Sequence, residues 1–364
     1  MSRIRVAIIG ATGMVGQRFV SLLDGHPWLE ITAVAASHRS AGQTYGQAVA
    51  GRWTMDRLIP EHILDMKVMD ASDVNAVGAL CDFIFCAVDM PKDETRALEE
   101  SYARSETPVV SSNSACRLLP DVPMLIAEIN HQHTDAIHAQ RERLATKRGF
   151  IAVKPNCSIQ SYVPALTPLL RFGILEVSVC TYQAVSGAGK TLQNWPEMID
   201  NVIPLIPGEE EKSEQEPLKI WGALNDAGIV VPAALPVISA QCLRVPVSDG
   251  HMAAVSVRFA DKPTREEILA AWKQYETLPQ RLGLPSAPKP FVQYMDDPDR
   301  PQTRLDRNEG NGMAIAVGRL REDPIMDYRF VALSHNTVRG AAGGGVLTAE
   351  LLIKQGFIEP KDTV

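Results

Sequence analysis

The first third of the chain alternates between apolar runs and helical patterns. Residues 3–9 form an apolar, β-branched run that ends at Gly10, and residues 14–23 carry apolar side chains at helical spacing. Further strands are predicted by the apolar runs at residues 31–36, 82–88 and 109–112. Such alternation is typical of a parallel, doubly wound α/β sheet.

The pattern changes after about residue 156, where helical patterns become fewer. Longer apolar stretches predict strands at residues 175–185, 231–247, 251–259 and 313–320. Long strands with few helices between them favour a mixed or antiparallel sheet. Residues 278–301 are rich in proline and are expected to form a surface excursion. The last 25 residues return to a helix, in which three glycines at 343–345 precede residues 346–352.

Composition limits the classes of function. The 364 residues include 36 Lys and Arg against 43 Asp and Glu, a formal charge of −7, and no long basic run, so nucleic acid is not expected as a partner. We find no apolar stretch suited to a transmembrane helix and no signal peptide, which predicts a cytoplasmic protein without membrane contact. Six cysteines without a Cys-x-x-Cys pair indicate reduced thiols and no metal site.

A glycine-rich turn follows the first predicted strand. A Gly-x-x-Gly-x-x-Gly pattern, formed by Gly10, Gly13 and Gly16, leads into the first helix. Small residues at this place let the backbone approach a pyrophosphate, whose charge is stabilised by free N–H groups of the helix. A tight turn without a ligand is the alternative. The strand and helix context favours dinucleotide binding, with the turn residues Gly10, Thr12, Gly13, Met14 and Val15 as candidates.

The end of the second strand indicates which dinucleotide binds. An NAD site requires an acidic residue there for the ribose 2′-hydroxyl, but the sequence offers Ser37, Arg39 and Ser40 instead. A guanidinium and two hydroxyls suit a 2′-phosphate, so NADP is favoured over NAD. The alternative is a solvated basic loop.

Cys157 is the candidate nucleophile. It follows a short strand and Pro155, and a helix is predicted over residues 159–170. A helix N-terminus favours the thiolate, so the pKa of Cys157 is expected to lie below the value of about 8.5 of a free cysteine. A structural buried thiol is the alternative.

Two strand ends offer partners for this thiol. His251 begins a strand after an Asp-Gly turn, and Arg244 lies on the strand before it, although His251 could equally be a surface hairpin residue. Gln183 provides an amide that suits a carbonyl oxygen, and a second small-residue turn with Ser186 and Gly187 follows it.

Seven motifs extend this pattern over nearly the whole chain. They are Gly-Ala-Thr-Gly-Met-Val-Gly at 10–16, Ser-Ser-Asn-Ser at 111–114, Lys-Pro-Asn-Cys-Ser at 154–158, Gln-Ala-Val-Ser-Gly-Ala-Gly at 183–189, Glu-Glu-Glu-Lys at 209–212, Arg-Val-Pro-Val-Ser-Asp-Gly-His at 244–251 and His-Asn-Thr-Val-Arg-Gly-Ala-Ala-Gly-Gly at 335–344. With these motifs in this order, the chain resembles the aspartate-semialdehyde dehydrogenase family, in its archaeal and fungal-type branch.

The resemblance implies an enzyme and two domains. The implied reaction is the reversible, NADPH-dependent reductive dephosphorylation of L-aspartyl 4-phosphate to L-aspartate 4-semialdehyde through a cysteine thioester, in lysine, threonine and methionine biosynthesis. An NADP-binding Rossmann domain is expected over residues 1–156, completed by the C-terminal helix within 336–364. A catalytic and dimerisation domain is expected over residues 157–335, in a homodimer or homotetramer.

The resemblance also implies roles for individual residues. Cys157 attacks the acyl phosphate, Asn156 supports it, His251 handles protons on the thiohemiacetal and Gln183 orients the carbonyl. Substrate binding falls to Arg244 at the α-carboxylate, Glu209 at the α-amino group, and Arg117 with Lys212 at the phosphate. The nicotinamide half of the cofactor is expected to contact Ser112, Ser186, Gly187 and Asn336.

Two other functions remain open on the sequence alone. A CoA-dependent acyl reductase of the malonyl-CoA reductase type has similar Cys and His motifs but needs no phosphate site. A non-catalytic NADP-binding sensor would need only the first domain. Without the resemblance, Glu209 to Lys212 would be an acidic helix start and Arg117 a solvated loop residue.

Overall fold

Two six-stranded sheets organise residues 3–361, the part of the chain that the computed structural model describes. The strands of the first sheet are β1 (Ile4–Ile9), β2 (Leu29–Ala36), β3 (Val68–Asp70), β4 (Phe83–Cys86), β5 (Val109–Ser111) and β6 (Ile151–Val153). They are all parallel and lie in the order 3-2-1-4-5-6. This is the order of a Rossmann-type doubly wound sheet, which confirms the predicted fold.

Helices cover both faces of this sheet, so its strands are buried on both sides. Along β1, Val6 and Ile8 join one hydrophobic cluster, whereas Ala7 and Ile9 join the other. The α-helices of the chain are α1 (Met14–Leu23), α2 (Tyr45–Ala48), α3 (Glu61–Leu64), α4 (Val74–Ala79), α5 (Lys92–Arg104), α6 (Ala136–Leu144), α7 (Val163–Leu166), α8 (Glu209–Ile220), α9 (Arg265–Lys273), α10 (Leu278–Leu282), α11 (Thr303–Asp306), α12 (Glu309–Gly312) and α13 (Gly343–Lys354). Among residues 3–361, none is long and apolar enough to cross a membrane.

The second sheet is mixed, as the sequence predicts. The remaining strands are β7 (Ile174–Gln183), β8 (Ala223–Leu224), β9 (Val230–Val231), β10 (Val237–Arg244), β11 (His251–Phe259), β12 (Val292–Met295), β13 (Ile315–Glu322) and β14 (Tyr328–Ser334). The sheet order is β10-β7-β11-β14-β13-β12, with parallel pairs at both edges and antiparallel pairs between them. β8 and β9 form a separate antiparallel pair.

Two expectations for this region are wrong. The predicted strand over residues 231–247 is divided, because a proline-containing segment separates β9 from β10. Residues 278–301 are not only a surface excursion, since they contain α10 and contribute β12 as an edge strand of the sheet. Phe291 and Val292 bury their side chains there, although the surrounding prolines conceal the strand in the sequence.

The C-terminal segment returns to the first sheet. α13 packs against α1 and β5, and a π-helical turn at Val338–Ala342 precedes it. Arg339 in this turn forms a buried bidentate ion pair with Glu128 at 2.5 and 2.7 Å. The predicted C-terminal helix therefore begins at Gly343, and residues 362–364 lie outside the described residues.

Gly10, in the glycine turn after β1, leaves no room for a side chain. Gly10 has a φ of +83°, and a Cβ there would lie 2.3 Å from the Ala87 carbonyl oxygen. We expect Gly10→Ala to lower the free energy of unfolding by about 2–4 kcal/mol, because both the backbone and the neighbouring strand must shift. Urea denaturation measures this change.

Gly13→Ala is the matched control. Gly13 has a φ of −78°, and an added Cβ would meet no heavy atom closer than 3.5 Å. This variant should unfold at nearly the wild-type urea concentration. Equal stability of the two variants would contradict the steric argument.

Candidate active site

Three strand ends of the second sheet bring predicted site residues to one edge. β7 and β10 are parallel, and Arg244 pairs with Gln183 at their carboxyl ends. β11 is antiparallel to β7 and begins at His251, so its first residue lies at the same edge. All three side chains are buried, because alternate residues of each strand point to the covered face. His251 is therefore not a surface hairpin residue.

Cys157 lies in the turn after β6, and its local structure differs from the expectation. Residues 157–162 form turns, and α7 begins only at Val163. The reason is local: the Asn156 side-chain oxygen accepts the Ser158 N–H at 2.7 Å, a contact that competes with helix formation. Cys157 is thus not at a helix N-terminus.

The environment of the thiol also opposes ionisation. Cys157 is half-buried, and burial, followed by the negative charge of Glu209, raises its pKa. The positive charges of Lys154, Arg117 and Arg244 act in the opposite direction but do not outweigh the first two effects. The expected lowering of the Cys157 pKa is therefore wrong for the isolated chain.

Gly340 lets the C-terminal segment lie directly against Cys157. A Cβ at residue 340 would be 2.8 Å from the Cys157 Cβ and 3.1 Å from its Cα. Asn336 accepts the Gly250 N–H at 2.7 Å and donates to the Ser186 hydroxyl at 2.8 Å. The segment therefore connects the Cys157 turn with the turns that follow β7 and precede β11.

Glu209 is the centre of a hydrogen-bond network. Its carboxylate accepts the Asn156 amide at 2.9 and 3.0 Å, the Gln183 amide at 3.1 Å and the Lys212 ammonium at 2.8 Å. Although burial opposes ionisation, the charge and hydrogen bond of Lys212 keep the pKa of Glu209 below its usual value. Glu209 is therefore an anion that accepts hydrogen bonds from the side-chain amides of two predicted site residues, Asn156 and Gln183.

Arg117 is fixed by a second carboxylate on the same helix. It donates to Glu216 at 2.9 Å and to the Ser112 carbonyl oxygen at 3.1 Å. Glu216 also accepts the backbone N–H of Asn156 at 2.6 Å. Arg117 is buried rather than solvated, which excludes the surface-loop alternative.

His251 is uncharged. Its Nδ1 accepts the Ala184 N–H at 3.0 Å, so the neutral ring carries its proton on Nε2, which has no partner among the described residues. Burial and then the charge of Arg244 lower the pKa of His251 to about 3. A Cβ at Gly187 would lie 3.0 Å from this Nε2 and 2.8 Å from an Arg244 nitrogen, so both groups face residue 187.

Half of the predicted site residues line one cavity of about 250 Å³. Its lining includes Val15, Ser112, Arg117, Asn156, Cys157, Ser186, Gly187, Glu209, Lys212 and Asn336. Gln183, Arg244 and His251 are not part of this lining but lie next to it. Gln183 donates to the lining residue Glu209, and Arg244 and His251 face the lining residue Gly187. No group of three or more His, Cys, Asp or Glu side chains within residues 3–361 is arranged to hold a metal ion.

A second cavity of about 690 Å³ lies at the carboxyl ends of β1, β2 and β4. Gly10, Thr12, Gly13, Ser37 and Arg39 line it, as expected for cofactor candidates. Met14 and Ser40 do not line either cavity. Val15 lines the first cavity and Gly13 the second, so the N-terminus of α1 borders both.

Comparison with known proteins identifies the family. The model described as "Semialdehyde dehydrogenase, NAD binding domain" matches residues 5–137, and "Semialdehyde dehydrogenase, dimerisation domain" matches residues 166–339. The aspartate-semialdehyde dehydrogenase of Methanothermobacter thermautotrophicus is 45% identical over 353 residues, covering 96% of this chain and 99% of the relative. The chain belongs to the aspartate-semialdehyde dehydrogenase family.

Other relatives extend this result. The aspartate-semialdehyde dehydrogenase of Schizosaccharomyces pombe is 42% identical over 359 residues, covering 97% of this chain and 99% of the relative. A crystal structure of the Candida albicans enzyme with NADP has a TM-score of 0.87 and 38% identity, covering 98% of this chain and 100% of that one. Aspartate semialdehyde dehydrogenase II of Vibrio cholerae, at 24% identity and a TM-score of 0.73, shares the fold over 97% of this chain and 99% of that one.

Sequence reasoning missed three residues that shape this site in the semialdehyde dehydrogenase fold. Glu216 lies seven residues after Glu209 on α8, a spacing that places both on one helix face and would have indicated a shared partner. Gly340 and Lys154 lie inside the motifs that carry the resemblance, but their spacing gives no sign of contact with Cys157. Only the structure shows that both face the cavity.

The Glu209 charge generates a prediction about the thiol. Because this anion raises the pKa of Cys157, Glu209→Gln should move the pH profile of Cys157 alkylation to lower pH. Iodoacetamide labelling from pH 6 to 10, followed by mass spectrometry of the Cys157 peptide, measures the profile. Glu211→Gln changes an exposed carboxylate in the same helical turn and should leave the profile near wild type. An unchanged profile for Glu209→Gln would contradict the electrostatic assignment.

Proposed function

We propose that the protein catalyses the reversible, NADPH-dependent reductive dephosphorylation of L-aspartyl 4-phosphate to L-aspartate 4-semialdehyde. The observation that carries this proposal is the position of Cys157 in a cavity lined by cations and amides, beside the helix N-terminus that also borders the glycine-turn cavity. The family membership supports the same reaction. None of the relatives named above is a CoA-dependent acyl reductase, so that alternative has no observation in its favour.

Covalent catalysis by Cys157 suits an activated acid. The sulfur forms a bond to the acyl carbon as its S–H bond breaks, and the bond from that carbon to the phosphate oxygen breaks. The leaving phosphate takes the electron pair of that bond and, overall, the proton of the thiol. The resulting thioester accepts a hydride, which a carboxylate does not. Asn156, held by Glu209 and Glu216, fixes the turn that carries the sulfur.

His251 acts as a hydrogen-bond donor in its neutral form. The unpartnered Nε2–H is positioned to stabilise the oxygen that gains negative charge when the thioester carbonyl becomes tetrahedral. Gln183 orients that carbonyl, since its amide lies at the same strand edge. The tetrahedral carbon then releases the sulfur and gives the aldehyde.

The charged groups of the substrate match the charged groups of the site. The Arg244 guanidinium suits the α-carboxylate, and the Glu209 carboxylate suits the α-amino group. Arg117 and Lys212, which line the same cavity, receive the phosphate. Substrate is therefore oriented by three separate charge pairs.

NADP fits the second cavity and the residues around it. The first turn of α1 has no side-chain cap, and Gly13 leaves space for a close approach of a pyrophosphate. Ser37, Arg39 and Ser40 follow β2, where the 2′-phosphate would lie, and Met14 belongs to the first turn of α1. Ser112, Ser186, Gly187 and Asn336 would hold the nicotinamide half near Cys157. The cofactor supplies the hydride when it is bound.

We further propose that the protein has two domains and forms an oligomer. Residues 1–156 with the segment 336–364 form the NADP-binding domain, and residues 157–335 form the catalytic domain. The uncovered face of β7, β10 and β11 exposes Tyr182 and Val237, which supports a homodimer or homotetramer through this sheet. Six free cysteines suit the reducing cytoplasm, where we place the enzyme.

Cys157→Ala tests the nucleophile. Without the sulfur no thioester forms, so phosphate-dependent oxidation of the semialdehyde should fall by at least roughly a thousandfold while NADPH binding persists. NADPH formation at 340 nm measures the rate, and fluorescence titration measures binding. Cys180→Ala, which changes another half-buried cysteine on β7, should keep wild-type turnover. Retained turnover in Cys157→Ala would refute the assignment.

Arg39→Ala tests the preference for NADP. Loss of a guanidinium from the 2′-phosphate should raise the Kd of NADPH by about tenfold and leave the Kd of NADH nearly unchanged. Fluorescence titration with both nucleotides gives the two constants. Arg57→Ala removes an exposed arginine that does not line the cofactor cavity and serves as the control. An equal loss for both nucleotides would contradict a 2′-phosphate contact.

A further inference from the structure

Lys154 is a buried cation to which the proposed reaction assigns no role. Its side chain is 3% exposed and lines the same cavity as Cys157, Arg117 and Lys212. Its ammonium donates to the carbonyl oxygen of Pro155, and no carboxylate of the described residues forms an ion pair with it. A buried ammonium is costly unless a partner compensates its charge.

The other two cations of this part of the cavity are already paired. Arg117 binds Glu216 at 2.9 Å, and Lys212 binds Glu209 at 2.8 Å. Lys154 differs from both because its hydrogen-bond partner is an uncharged carbonyl. Of the three cations, Lys154 is therefore the one most able to bind a further anion.

Lys154 also lies close to another positive charge. Burial and then the Arg117 guanidinium lower the pKa of Lys154 to about 7, whereas Cys157, Glu216 and Glu209 act in the opposite direction. Two cations held side by side in a buried cavity repel each other until an anion lies between them. This arrangement is typical of a site that binds a multiply charged anion such as phosphate.

We propose that Lys154 is a third ligand of the phosphate group, acting with Arg117 and Lys212. The proposal rests on the proposed function, because it concerns the phosphate of that same reaction. Lys154 lies three residues before Cys157, so its ammonium is placed to contact the group that leaves as the sulfur bonds to the acyl carbon. Binding the phosphate provides the negative partner that Lys154 otherwise lacks.

The test uses inorganic phosphate in the direction of semialdehyde oxidation. Lys154→Met removes the charge and keeps an unbranched side chain, and it should raise the KM for phosphate by about tenfold, the loss of one charge-assisted contact. The KM for the semialdehyde should remain near wild type. Lys154→Arg keeps the charge and should recover much of the phosphate affinity. Lys92→Met changes an exposed lysine beside the neighbouring cavity and should leave both constants unchanged.

Binding is measured independently of turnover. Inorganic phosphate should slow the alkylation of Cys157 in the wild-type protein, and roughly tenfold more phosphate should be needed in Lys154→Met. Because the Lys154 ammonium is present below its pKa of about 7 and lost above it, protection of the wild type should weaken as the pH rises through that region. Lys154→Arg stays charged and should show a flatter dependence.

The outcomes separate the two proposals. If the wild-type protein shows no phosphate-dependent oxidation of the semialdehyde, the proposed function itself fails. If the wild type is active but Lys154→Met keeps the wild-type dependence on phosphate in both assays, the role of Lys154 is overturned. An unchanged KM for phosphate together with an alkylation profile moved to higher pH would instead identify Lys154 as the counter-ion of the Cys157 thiolate.

Discussion

Two buried carboxylates on one face of α8 determine the geometry of the site. Glu209 and Glu216 lie seven residues apart, and between them they hold the side chain and the backbone N–H of Asn156. The same carboxylates bind Lys212 and Arg117, so these two cations have fixed positions. Because Glu209, Glu216 and Arg117 are buried, removing a partner from one of them would leave an uncompensated buried charge, which is far more costly than the loss of a surface pair. The position of Cys157 therefore depends on α8.

Another buried ion pair, between Arg339 and Glu128, holds the segment that carries Gly340. Arg339 and Glu128 join the C-terminal segment to the loop between β5 and α6, and the ring of Phe291 lies 4.8 Å from the guanidinium. This pair fixes the turn in which Gly340 contacts the backbone and Cβ of Cys157. Residues that are distant in sequence thus form one wall of the cavity, and a side chain at residue 340 would displace Cys157.

The sequence alone predicts those helices, strands and turns that are determined by neighbouring residues. The bounds of α1 and β11 follow the apolar spacing, and the glycine turn of Gly10 is recognised because its conformational demand is local. The turn around Cys157 could not be predicted in the same way, since the Asn156 side chain replaces the first turn of a helix by its own hydrogen bond. The raised pKa of Cys157 depends on burial and on Glu209, a residue of a distant helix. Burial and charge that come from residues distant in sequence cannot be predicted from a local motif.

Side chains alternate between the two faces of the second sheet. One face carries residues of the site, and the other is the surface of the proposed oligomer. Gln183 and Arg244 point to the covered face, whereas Tyr182 and Val237 on the same strands point to the uncovered face. Because side chains alternate with a period of two, a shift of one residue in β7 would exchange Gln183 with its neighbour and remove the amide from Glu209. A contact at the uncovered face that fixes the register of these strands therefore also fixes the positions of the Gln183 amide, the Arg244 guanidinium and the start of β11. In this way, association through the sheet would stabilise the arrangement of Gln183, Arg244 and His251.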